Sequence, residues 1–261
     1  MGTVTLEVAE SGAGAPVLLL HAFPLSAALW DDVRPALTAE HRVITPDLRG
    51  FGASPYAGEA EPSLDAMAGD VLALLDRLGL DRVVLGGLSM GGYVAMALLR
   101  RAPERVAALV LADTKAGADP DSARGKRLRI AARLDAERRP DVLVEEVLPG
   151  LLGDTTKTQR PAVVARVESW VRSCRPEAAA YAQRAMAARP DSHVTLRGID
   201  LPVLIVRGAE DGLSTAQDVA DMAAALPKAQ LVTIPGAGHL TCVEAPGDFA
   251  EALLGFLRGL A

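Results

Sequence analysis

The chain has 261 residues, a length that suits one domain carrying an insertion. Half of its residues are hydrophobic but only 3% are aromatic, so the core must be built largely from Ala, Val and Leu. The formal net charge of −6 argues against nucleic acid or an anionic membrane as a partner.

Residues 1–10 alternate like a strand and carry no basic leader pattern, and the apolar run over 17–20 is too short to cross a bilayer. A soluble, cytoplasmic protein is therefore expected. Strands are predicted over 4–8, 17–21, 43–45, 83–85 and 106–111, with helices near 29–37, 64–78 and 90–101 between them. Ser63 is placed to cap the second helix, and Gly79 suits the left-handed residue that ends it. Residues 114–196 break the rhythm with helical patterns punctuated by Pro140, Pro149, Pro161, Pro176 and Pro190. Val164, Val167 and Val171 share one helical face there, with Trp170 beside them as a candidate pocket wall or as packing. The alternation then resumes with a strand over 203–206, a helix over 215–226, a strand over 231–234 and a helix over 247–259. Buried, non-alternating strands joined by helices imply an α/β fold with a mostly parallel sheet covered on both faces. The predicted organisation is a core of 1–113 and 197–261, with 114–196 as a helical cap over the sheet's C-terminal edge.

The inserted segment carries 15 Lys and Arg against 11 Asp and Glu, a net of +4, which leaves −10 for the rest of the chain. Arg124, Lys126, Arg127, Arg129 and Arg133 could draw in an anionic substrate, although such runs more often form solvated helix faces. Cys174 and Cys242 match no metal spacing and read as two buried thiols in a reducing compartment. Gly12 and Gly14 form no phosphate loop, because no helix start follows them. No cofactor or metal is expected.

Chemistry concentrates in Gly87-Leu88-Ser89-Met90-Gly91, at the junction of a buried-strand pattern and a helix pattern. A serine there occupies a sharp turn that lifts its hydroxyl clear of the backbone, and its small neighbours allow strand and helix to approach. Serine is a weak nucleophile until a base takes its proton. Of four histidines, His239 follows a strand on the Gly-rich stretch Pro235-Gly236-Ala237-Gly238, able to bring a ring over the sheet edge. His21 sits beside the loop that follows its strand, and His41 and His193 read as ordinary polar positions. A carboxylate on the far imidazole nitrogen would set its tautomer. Asp211 is preferred for that role because it follows a strand and gives the order Ser, Asp, His; Asp113, also at a strand end, is its competitor. The Met90 N–H, and the Phe23 N–H in His21-Ala22-Phe23-Pro24, are the expected oxyanion donors.

With His21-Ala22-Phe23-Pro24, Asp47-Leu48-Arg49-Gly50-Phe51-Gly52-Ala53-Ser54, Gly87-Leu88-Ser89-Met90-Gly91-Gly92, Gly208-Ala209-Glu210-Asp211 and Gly236-Ala237-Gly238-His239, the chain resembles the α/β-hydrolase superfamily over nearly its full length. The resemblance implies a cofactor-independent enzyme with a cap, Ser89 as nucleophile, His239 as base and Asp211 as acid. Within the superfamily it is most similar to enol-lactone hydrolases of the 3-oxoadipate type, which implies a small-molecule ester or lactone substrate. Related small esterases and the cofactor-free haloperoxidase/perhydrolase group are nearly as similar, and Ser89-Met90-Gly91-Gly92 also resembles C–C bond hydrolases. The alternatives are a same-triad enzyme that passes the acyl group to peroxide or another acceptor or cleaves a C–C bond, and a non-enzymatic ligand receptor of the same fold. One departure stands out: the family usually has His-Gly where this chain has His21-Ala22, which would be strained if position 22 required a positive φ.

Overall fold

A computed structural model describes residues 2–57, 61–226 and 228–260. The strands are β1 (Val8–Ser11), β2 (Ala15–Leu20), β3 (His41–Pro46), β4 (Val83–Leu88), β5 (Val106–Ala112), β6 (Val203–Gly208) and β7 (Gln230–Ile234). They form one sheet in the order β1-β3-β2-β4-β5-β6-β7. Only β1 runs antiparallel, against β3; every other pairing is parallel. The central strands are apolar without alternation because both their faces are covered: every residue of β4 and the last four of β2 are buried. Val17 pairs with Val43 on one side and Val84 on the other, and Leu20 lies opposite Gly87. That register sets the ends of β2 and β4 side by side.

The helices are α1 (Arg34–Leu37), α2 (Leu64–Arg77), α3 (Met90–Arg101), α4 (Asp121–Glu137), α5 (Asp141–Glu146), α6 (Leu148–Leu151) and α7 (Asp154–Gln159). They continue with α8 (Pro161–Arg172), α9 (Pro176–Ala187), α10 (His193–Arg197), α11 (Ala216–Ala225), α12 (Thr241–Glu244) and α13 (Pro246–Arg258). Helices α2 and α3 pack together against the sheet, and α1 packs with α13. Ser63 caps α2 by accepting the Asp65 N–H at 3.1 Å, and Gly79 beyond its end has φ +64°.

Helices α4 to α10 all lie between β5 and β6. The long pair α4 and α9 pack on each other, while α5, α6 and α7 contact α8. The last of the run, α10, reaches Arg197 and packs on α3 and α11.

Two predicted elements differ from the structure. The first strand is β1 at Val8–Ser11, because the backbone of 4–7 is held by side chains: Val4 N–H donates to Asp70 and Glu7 N–H to Ser54. The helix expected over 29–37 is instead a 3₁₀ turn at Ala27–Trp30 followed by the single-turn α1, since Pro35 has no N–H and is tolerated only in a first turn. Among the described residues no helix is long and apolar enough to cross a membrane.

Candidate active site

The C-terminal ends of β2, β4, β5 and β6, and the loop after β7, meet at one edge of the sheet, where open α/β sheets present ligand-binding loops. Ser89 directly follows β4 and precedes α3, with φ 54° and ψ −113°, a conformation rare for a residue with a side chain. Its N–H donates to the Ala112 carbonyl at 2.9 Å, and the Thr114 hydroxyl donates to its carbonyl at 2.8 Å. The turn needs small neighbours: a Cβ on Gly87 would overlap the Gly91 backbone, and one on Gly91 would overlap the Leu20 carbonyl.

The Ser89 hydroxyl lies 2.8 Å from His239 Nε2. The other ring nitrogen, Nδ1, lies 2.9 and 3.0 Å from the two carboxylate oxygens of Asp211. That carboxylate assigns the proton to Nδ1 and leaves Nε2 free to accept from the serine. All three side chains are buried. Asp211 is oriented by an Asx-type turn, accepting the Leu213 N–H at 2.8 Å, the Ser214 N–H at 3.2 Å and the Ser214 hydroxyl.

Burial alone would lower the His239 pKa, but the charge and hydrogen bond of Asp211, with Asp113 and Glu244 behind it, raise it above the ordinary imidazole value. Asp211 is buried too, which works against ionisation, yet its contacts to His239 and Ser214 hold it below the usual carboxylate value. Asp113 does not contact the imidazole. Its carboxylate accepts the Gly208 N–H at 2.9 Å, the Thr241 N–H at 3.2 Å and the Thr241 hydroxyl at 2.5 Å. Burial first, and then the nearby Asp211 charge, push Asp113 up to about 7.

A profile of the alpha/beta hydrolase fold matches residues 15–246. This chain belongs to the α/β-hydrolase fold family. It is similar to a thermophilic esterase from Thermogutta terrifontis, solved with malate bound, at 40% identity and TM-score 0.94, covering 98% of this chain and 93% of that one. It is also similar to the enol-lactonase from Burkholderia xenovorans LB400, at 26% identity and TM-score 0.88 over 97% and 96% of the two chains. A 2-hydroxymuconate semialdehyde hydrolase from Pseudomonas sp. strain CF600 is 30% identical over 95% of this chain and 88% of its own length.

Around the serine of this family member, the Met90 N–H opens α3, where the first turn of a helix has no internal acceptor. Neither it nor the Phe23 N–H has a hydrogen-bond acceptor among the described residues. The loop carrying Phe23 is fixed by His21, whose Nδ1–H donates to the Ala22 carbonyl and whose Nε2 accepts the Leu48 N–H, each at 2.9 Å. Ala22 is not among the residues with positive φ, so alanine meets no backbone strain there.

Ser89, His239 and Phe23 open onto a cavity of about 390 Å³ that α4, α5 and α6 help to wall. Trp170 does not line it. Val167 and Val171 are the buried positions of α8, and the ring of Trp170, one step off that stripe, packs half-buried on the outside with Arg166 5.1 Å from its centre. The expectation of Trp170 as a pocket wall is therefore corrected to packing.

Two of the five basic residues singled out in the insertion are held in ion pairs. Arg133 binds Glu137, Glu145 and Glu146, and Arg127 binds Asp119. Lys126 lines the cavity from an exposed position. Lys115 also lines it: its ammonium is 4.0 Å from Asp119, whose two oxygens are occupied by Arg127 and Arg189. Cys174 and Cys242 are buried free thiols, and burial pushes Cys174 up to about 12.

Lys115, Thr114, Ser214 and Glu244 were not singled out in the sequence. The spacing Asp211-Gly212-Leu213-Ser214 is a local turn signal that could have found Ser214. Thr114 acts through Ser89, 25 positions away, and Glu244 through Gly153, 91 positions away, while Lys115 is marked by the cavity it lines.

Proposed function

We propose that this protein is a serine hydrolase that cleaves a carboxylic ester or lactone through an acyl-enzyme. The observation that carries the reading is the continuous hydrogen-bond line from the Ser89 hydroxyl through His239 to Asp211, opening onto the cavity. In this mechanism Ser89 Oγ attacks the substrate carbonyl carbon as its proton passes to His239 Nε2. The Met90 and Phe23 N–H groups receive the oxyanion. The C–O bond breaks, the leaving alkoxide takes the proton from His239, and an acyl-Ser89 ester remains. Water then attacks this ester while giving a proton to His239, which returns it to Ser89 as the carboxylic acid departs.

The inserted helices α4–α9 serve in this reading as a cap that shapes the acyl and alcohol subsites. Lys115, whose nearest carboxylate is already shared by two arginines, supports a preference for substrates carrying a second, free carboxylate.

Ser89→Ala should remove hydrolysis of a chromogenic short-chain ester by on the order of a thousandfold or more while circular dichroism stays unchanged. Retained activity would refute the nucleophile assignment. Likeness to both an esterase and a semialdehyde hydrolase favours keeping a second reading, in which the same three side chains cleave a C–C bond or pass the acyl group to peroxide. Product analysis with competing nucleophiles separates the two. A non-catalytic receptor would leave Ser89 unlabelled by a fluorophosphonate and release its ligand intact.

A further inference from the structure

The imidazole of His239 is carried by Pro235-Gly236-Ala237-Gly238, a stretch with almost no side-chain mass to pack it in place. Beyond the ring's own bonds to Asp211 and Ser89, the loop therefore depends on bonds to its backbone. Glu244, on α12 and only 4% exposed, supplies them on both sides of the histidine. Its Oε1 accepts the Gly238 N–H at 2.9 Å and the Leu240 N–H at 3.1 Å. Its Oε2 accepts the N–H of Gly153, the residue before α7, at 2.8 Å. One buried carboxylate thus joins the histidine loop to the inserted helices by three charge-assisted hydrogen bonds.

Other contacts reinforce the same seam. The two backbones touch where they meet, so a Cβ on Gly238 would overlap Gly153. Thr155 donates its N–H and hydroxyl to Glu210, the neighbour of Asp211, at 2.8 and 2.5 Å. Arg160 donates to the Glu244 carbonyl. Residues 153–160 therefore form a strap across the loops carrying Asp211 and His239. Glu244, Gly153, Thr155 and Arg160 do not line the cavity that holds Ser89, so the strap has no direct route to substrate binding.

We infer that Glu244 is a positioning residue: by bridging the 153–160 strap to the peptide groups flanking His239, it holds the imidazole within reach of Ser89. The inference rests on His239 being the base of the proposed reaction. Productive alignment is sensitive to shifts well below the length of a hydrogen bond, so loosening this bridge should be felt in the chemical step.

Two variants separate reach from charge. Glu244→Asp keeps the charge but is one methylene too short to span Gly153 and the Gly238/Leu240 pair. On a chromogenic short-chain ester it should lower kcat by about tenfold or more and leave KM within about twofold, with the pH profile in place. Glu244→Gln keeps the length but removes a negative charge. The charged groups facing the ring are Asp211, Asp113 and Glu244, so losing one should shift the acidic limb of kcat/KM to lower pH.

Thermal unfolding of each variant gives the folded fraction at the assay temperature, and rates are scaled to it. The inference is overturned if scaled kcat of Glu244→Asp equals wild type, if only KM changes, or if the Glu244→Gln limb stays put. His239→Ala, run in parallel, isolates the underlying reading: full activity there removes the base assignment itself. Loss of activity in His239→Ala with both Glu244 variants unchanged removes only the positioning role.

Discussion

Ser89 holds a backbone conformation that costs of order 1–3 kcal/mol for a residue with a side chain, and it is kept there by its bonds to Ala112 and Thr114. The return on that strain is a hydroxyl aimed at His239 from the first turn of α3, beside free N–H groups. Whether that hydroxyl is activated depends on the imidazole being neutral. Because its neighbours raise His239 above the ordinary value of about 6.5, kcat/KM should fall as pH drops through a point above that value. In the proposed reaction, protonation below the raised pKa would remove the base, so the rate should be full only above it. The Asp113 charge contributes to this raise without bonding the ring. Asp113→Asn should therefore move the acidic limb to lower pH in a pH–rate profile, while Cys242→Ala, outside the hydrogen-bond line, should leave it in place.

At the scale of elements, one buried ion pair ties three otherwise separate pieces together. Arg49 reaches Asp70 on α2 through two bonds of 2.7 Å, with side chains 1% and 0% exposed. The same partners also hold the Gly2 carbonyl and the Val4 N–H, so the N-terminal stretch is stitched to the 47–54 loop and α2 together. Removing one member leaves the other charge buried without its partner. Asp70→Ala should cost about 3–5 kcal/mol, read as a lower urea midpoint with the slope unchanged. This network also explains why residues 4–7 are not a strand despite their alternation, since their N–H groups at 4 and 7 are claimed by side chains from distant segments. Helices with their own terminators were legible without such knowledge. Ser63 and Gly79 bracket α2 by local chemistry, whereas the helix predicted over 29–37 gives way to the single-turn α1, because Pro35 is tolerated only in a first turn.

Across the whole molecule, charge is unevenly distributed: the insertion is net positive and the remainder strongly negative. Within the insertion, Arg133 and the arginines of the Asp119 cluster are paired with acids already counted in that balance. Lys115 is the cavity-facing cation whose nearest acid is already committed. Lys115→Gln should raise KM about fivefold or more for a carboxylate-bearing lactone while leaving its neutral methyl ester within about twofold, since a charged hydrogen bond is at stake only in the first. An equal effect on both substrates would remove the charge preference. The run of five basic residues could not reveal this, because Lys115 lies outside it and composition does not show which side chains face a cavity. By itself, the sequence determined the α/β alternation, the strand-to-helix serine turn and the chain order of the candidate groups, because hydrophobic period and turn chemistry are local properties. Only the tertiary structure decided that Asp211 rather than Asp113 faces His239, that Trp170 packs outside the cavity, and that Glu244 bridges the two loops. These outcomes depend on which strand ends lie side by side and which helix covers them, and that is settled by packing between separate segments: Asp211 and His239 are 28 positions apart, Gly153 and Glu244 91.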